Sequence, residues 1–94
     1  MLTFACDASC CRLTGSFTAE SFRAVKQDVR VKVSPNSPCS LDVSGLAVVN
    51  SPILSLLLEV ARVSGHTVSL VGVTDSIQRM VALYGLHPVL KISD

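Results

Sequence analysis

The run from Leu41 to Gly65, LDVSGLAVVNSPILSLLLEVARVSG, leaves this chain few ways to fold. Val48 and Val49 lead into Asn50-Ser51-Pro52, and Pro52 is followed by the apolar run Ile53 to Leu58. Proline fits the first position inside a helix, where its missing N–H costs nothing and its φ is already helical. Ser51, just before it, then stands as the N-cap, its hydroxyl free to accept from a first-turn amide. Gly65 stands where a left-handed residue ends a helix. The spacing predicts a helix from about Pro52 to Ser64, fed by a strand over Cys39 to Val43.

That helix has one narrow polar stripe. Ser55, Glu59 and Arg62 fall at i, i+4 and i+7, and apolar side chains fill the rest of the circumference. One turn back from Ser55 lies Ser51. Its hydroxyl therefore heads the only polar face, and a phosphate on it would meet the positive end of the helix dipole. The residue is also accounted for as a cap and nothing more.

The remaining elements follow in order. Leu2 to Cys6 and Cys10 to Thr14 flank the turn-like Asp7-Ala8-Ser9 and suggest an antiparallel hairpin. Thr18 is placed to cap a first helix, with Phe17 and Phe22 spaced as a hydrophobic staple. Phe22, Val25 and Val29 continue that helix to about Arg30, although Val29 to Val33 also alternates as a strand would. Ser34 to Pro38 reads as a loop. Thr67 to Val73 is the next strand, and Thr74 caps a third helix with Ile77, Met80, Val81 and Tyr84 on one face. Gly85 closes it, and Val89 to Ile92 forms a last strand. Strands alternating with helices imply parallel crossovers after an antiparallel opening. The expected fold is α/β: a mixed four- or five-stranded sheet with three helices mainly on one face, in a single domain over residues 1–94.

Composition excludes more than it selects. A net charge of +1 gives no global electrostatic case for nucleic acid or an anionic membrane. With 49% apolar and 16% charged residues, so small a fold leaves apolar surface outside, which favours a protein partner. Met1 to Asp7 lacks a basic n-region and a long apolar stretch, so no signal peptide is expected and the four cysteines are expected to be reduced. Asn50, Pro52, Glu59 and Arg62 interrupt the most apolar segment, against direct membrane insertion. No pair of cysteines has C-x-x-C spacing, and His66 and His87 lack metal-site spacing, so neither metal nor cofactor is expected. There is no nucleophile elbow, Walker loop or G-x-G-x-x-G. A nucleophilic Cys10 or Cys11 would lack a base, so no catalytic residues are assigned. Among the carboxylates Asp42 stands out, on a strand feeding the Ser51 loop. It serves either as a strand-end carboxylate bonded to neighbouring amides or as support for that loop.

The order of these segments resembles the STAS domain, the fold of anti-sigma-factor antagonists. The resemblance rests on Cys11-Arg12-Leu13-Thr14-Gly15, Leu41-Asp42-Val43-Ser44, Val48-Val49-Asn50-Ser51 with the leucine-rich helix after it, and the helix closing on Tyr84-Gly85-Leu86. In that family the loop before the central helix commonly reads Asp-Ser-Ser/Thr-Gly-Leu, and a kinase phosphorylates its first serine. Ser51 and Leu54 match; Asn50, Pro52 and Ile53 depart. Leu70-Val71-Gly72-Val73-Thr74-Asp75 and Leu83-Tyr84-Gly85-Leu86 are similar to the small STAS subunit of Mla-type phospholipid ABC transporters. That branch implies a non-enzymatic regulatory subunit, cytoplasmic and peripheral at the inner membrane through its complex. Asn50, Ser51, Pro52, Ser55, Glu59 and Arg62 would then contact the transporter's ATPase. The alternative it implies is an anti-sigma-factor antagonist, partnered by an anti-sigma factor or serine kinase and switched by phosphorylation at Ser51.

Overall fold

Every crossover in this chain steps the same way. In the computed structural model, which describes residues 1–7, 10–33, 40–47, 50–65 and 67–93, five strands lie in sequence order across one sheet. They are β1 (Leu2–Asp7), β2 (Cys10–Gly15), β3 (Ser40–Asp42), β4 (Val68–Val71) and β5 (Leu90–Ser93). β1 and β2 pair antiparallel, and every later pair is parallel. The three connections carry α1 (Ala19–Lys32), α2 (Ser51–Ser64) and α3 (Asp75–Leu83). Right-handed crossovers that always step in one direction put all their helices on one face of the sheet. Burial follows that rule. Cys11, Leu13, Leu41, Leu70 and Leu90 are buried on the helix side, while Arg12, Val71 and Lys91, on the other face, are exposed.

Local chemistry sets most helix ends where expected. Thr18 caps α1, its Oγ1 accepting from the Ser21 amide at 3.1 Å, and the Phe17 and Phe22 rings pack edge-on with centroids 5.6 Å apart. α1 continues to Lys32, two residues past Arg30. Val25, Val29 and Val33 are buried at helical spacing while Val31 is 74% exposed; a strand would have buried Val29, Val31 and Val33 together. Gly65 adopts the left-handed conformation (φ 73°) at the end of α2, as its position predicts. Thr74 caps α3.

Two expectations are corrected here. Tyr84 does not share the buried face of Ile77 and Val81; it is 57% exposed at the helix end. Gly85 turns the chain with φ 64°, and the Leu86 amide reaches back to the Val81 carbonyl at 2.9 Å. Leu86 then packs on the core in place of Tyr84. The cysteines are not all thiols either. Cys6 and Cys11 are register partners across β1 and β2, and a disulfide joins them. Facing positions of an antiparallel pair put both side chains on one side at short range, a tertiary proximity that cysteine spacing does not reveal. Cys10 is a free thiol, and Cys39 lies outside the described residues, as do Ala8, Ser9, the Ser34–Pro38 loop, Val48, Val49 and His66.

The core is built on α2. Ile53, Leu56, Leu57 and Val60 are essentially inaccessible and face Leu41, Val68 and Leu70 within one cluster. The helix is pinned to the sheet by apolar burial on most of its circumference, which fixes the direction of the remaining stripe.

Candidate functional site

The parallel strands β2, β3 and β4 end at Gly15, Asp42 and Val71, and the helices that follow begin at the same end of the sheet. The turn after β3 is anchored there. Gly15 donates to the Gly45 carbonyl at 3.0 Å and accepts from the Ala47 amide at 2.9 Å, while the Val43 amide bonds the Val71 carbonyl at 2.9 Å. Asp42 organises the corner. Its Oδ1 accepts from the Ser44 amide at 2.9 Å and the Ser44 hydroxyl at 2.6 Å, and its Oδ2 lies 3.7 Å from Arg12 Nε. The Ser44 hydroxyl, then the Ser44 amide, hold the carboxyl below its usual range against an opposing desolvation, and Arg12 adds the weakest pull. Asp42 therefore bonds to its neighbours and braces the turn that leads toward α2.

At the head of α2 the cap is Asn50, a correction to the reading that gave this role to Ser51. Asn50 has extended backbone angles, and its Oδ1 accepts from the Ile53 amide at 3.0 Å. Ser51 is the first helical residue and Pro52 the second. Asparagine caps as well as serine does, and proline is harmless anywhere in the first turn, where the amides have no intrahelical partner. The Ser51 hydroxyl is thereby released: it is exposed and bonds to none of the described residues. Asn50→Ala is accordingly expected to cost about 1 kcal/mol of stability, and Ser51→Ala only a few tenths. Urea melts of the two variants side by side check this; an equal loss would return the cap to Ser51.

Below Ser51 the stripe divides. The Ser55 hydroxyl is exposed and donates to the Pro52 carbonyl at 2.6 Å. Glu59 is mostly covered and sits between two arginines. Arg62 donates to it through Nε at 2.9 Å and Nη2 at 2.7 Å, and Arg30 of α1 donates through Nε at 3.1 Å. Arg62 first, and Arg30 after it, draw the Glu59 carboxyl down to about 2 from an ordinary 4.5, against the opposing cost of burial. Glu59 thus ties α1 to α2 as well as lying on the stripe, and it raises the Arg62 pKa in return.

A pH dependence follows. Because the folded pKa is the lower one, Glu59's contribution is complete above about pH 4.5 and is lost as pH falls towards 2. Both arginines are more than half exposed, so solvent screening limits the effect to about 1 kcal/mol. Denaturant titrations at pH 7 and pH 2.5 should show wild type losing about that much more stability than Glu59→Gln.

Leu83 and Tyr84, 77% and 57% exposed, lie at the far end of α3. Among the described residues no group of three or more His, Cys, Asp or Glu could hold a metal ion. No helix among them is long and apolar enough to cross a membrane.

Comparison with known proteins decides the family. A family model described as "Mlab, STAS domain" matches residues 2–91. The chain belongs to the STAS domain family. No curated protein matches it. Among solved structures it is similar to an anti-sigma factor antagonist from Mycobacterium paratuberculosis, at 16% identity and a TM-score of 0.66, covering 98% of this chain and 83% of that one. At that identity the likeness concerns the fold, and the five-stranded mixed sheet with three helices is the STAS arrangement. STAS domains mediate protein–protein interactions.

Proposed function

We propose that this STAS domain is the small regulatory subunit of a phospholipid-transporting ABC complex of Mla type, binding its ATPase from the cytoplasmic side without chemistry of its own. Ser51, flanked by Asn50 and Pro52 and continued by Ser55, Glu59 and Arg62, is the contact face. The observation that carries this reading is the released Ser51 hydroxyl. Asn50 takes the capping bond, so an exposed polar group at the head of α2 has no structural duty left. A high apolar content also suits a lasting subunit, because obligate interfaces are the more hydrophobic ones.

The same free hydroxyl supports a second reading, an anti-sigma-factor antagonist phosphorylated at Ser51. A phosphate on the first helical residue would meet the positive helix end, although Asn50 already takes the Ile53 amide and Pro52 has no N–H to offer. Isolation of the tagged protein from its own cells, with mass spectrometry of partners and of the Ser51 peptide, separates the two. The expected result is an ABC ATPase in stoichiometric amount and an unmodified Ser51. A stoichiometric phosphate with a serine kinase as partner would replace the first reading by the second.

A further inference from the structure

The Cys6–Cys11 bridge sits where a structural disulfide has least to do. It closes a loop with a sequence separation of only 5, between strands whose register is already set by six facing pairs from Leu2↔Gly15 to Asp7↔Cys10. The constraint a disulfide places on the unfolded chain shrinks with loop length, so this one is near the low end. α1 packs beside the same hairpin, and Lys32 Nζ donates to the Phe4 carbonyl at 3.1 Å, holding β1 independently of the sulfurs. Phe4 and Leu13, the register pair next but one, are fully buried.

Access to the two sulfurs is unequal. Cys11 is 2% exposed and belongs to the core, whereas Cys6 is exposed near the hairpin tip. An incoming thiolate therefore reaches the exposed Cys6 more readily than the shielded Cys11, and Cys11 is a small apolar side chain suited to stay inside as a thiol.

We propose that Cys6 and Cys11 form a reversible dithiol–disulfide site, opened by a dithiol reductant through attack at Cys6. The reductant's thiolate bonds to Cys6 Sγ, the Cys6–Cys11 bond breaks, and the electron pair leaves on Cys11 Sγ, which takes up a proton. The reductant's second thiol, losing its proton, then closes on its own sulfur and expels Cys6 as a thiolate, which is protonated. Two electrons and two protons pass to the protein, and the reductant leaves as a disulfide. The reduced hairpin keeps its register and displays the Cys6 and Cys10 thiols near its tip.

The test uses the full chain with dithiothreitol as the reductant and oxidised glutathione as the oxidant. Thiols are trapped by alkylation in denaturant and counted by mass. The oxidised protein should take two labels, at Cys10 and Cys39, and the reduced protein four. Reduction should proceed without denaturant, leave the far-ultraviolet circular dichroism unchanged, and lower Tm by about 10 °C, as a loop this short implies. Cys10→Ser should cycle identically with one label fewer. A bridge that yields to dithiothreitol only once the protein is unfolded, four labels in the oxidised sample, or loss of cycling in Cys10→Ser would each overturn the proposal. None of these outcomes bears on the role of Ser51.

Discussion

Gly72→Ala is expected to cost about 3 kcal/mol, from two separate causes. Gly72 has φ +72°, a conformation that costs an L residue about 1–2 kcal/mol. A Cβ built there would also lie 2.5 Å from the Ser44 Cβ, with the Ser44 Cα and N behind it at 3.1 and 3.2 Å. Rotating a side chain does not relieve a contact with backbone. β4 or the Ser44 turn must shift, and that turn is held by the Asp42 bonds and the Val43–Val71 bond. Gly65 supplies the control, since it has φ +73° but nothing within 4 Å of a new Cβ. Gly65→Ala should therefore show the conformational cost alone, about 1 kcal/mol. Urea denaturation of both variants measures the difference. If the two lose the same amount, close packing between Gly72 and the Ser44 corner is not what holds this end of the sheet.

The contrast between those glycines shows what the sequence displays and what it hides. Gly65 stands where a helix end is expected and is readable as such, whereas Gly72 falls inside the segment that reads as the strand Thr67 to Val73, which ends instead at Val71. Only the fold brings Ser44 against Gly72, because β3 and β4 are neighbours by topology and not by spacing. The same division runs through the whole chain. Thr18, Thr74, Gly65 and the Phe17–Phe22 staple act locally and are legible in the sequence. So is the direction of the α2 stripe, since burial dictates which side of a mostly apolar helix remains outside.

The local pattern fails to decide where two local rules compete or where a distant partner decides. Asn50 and Ser51 are equally good caps, and proline is tolerated at either of the first two helical positions, so the local pattern leaves the cap open by a single position. Tyr84 fits the apolar period of α3, but Gly85 ends the period one step before tyrosine would be buried. Arg30 comes to Glu59 across 29 residues, and Cys6 to Cys11 across a strand pair, and nothing in their spacing announces either contact. The candidate site shows the consequence. That Ser51 heads the polar stripe of α2 is legible in the sequence, while the state of its hydroxyl is not.

That state makes Ser51→Arg the most informative substitution. Arginine at the first helical position opposes the helix dipole and gives up no capping bond, so the folded protein should lose less than about 1 kcal/mol. At a close-packed interface the same residue introduces bulk and a charge to be desolvated, which costs several kcal/mol unless a partner group answers it. Affinity for the proposed ATPase should fall at least about 100-fold, equivalent to roughly 2.7 kcal/mol, while the melting curve barely moves. Ser51→Ala removes only a hydroxyl and should keep affinity within about tenfold. Titration calorimetry with the purified ATPase reads both values, and circular dichroism confirms that each variant is folded. Unchanged affinity in Ser51→Arg would move the interface away from the head of α2. The exposed Leu83 and Tyr84 at the opposite end of α3 would then be the next surface to substitute.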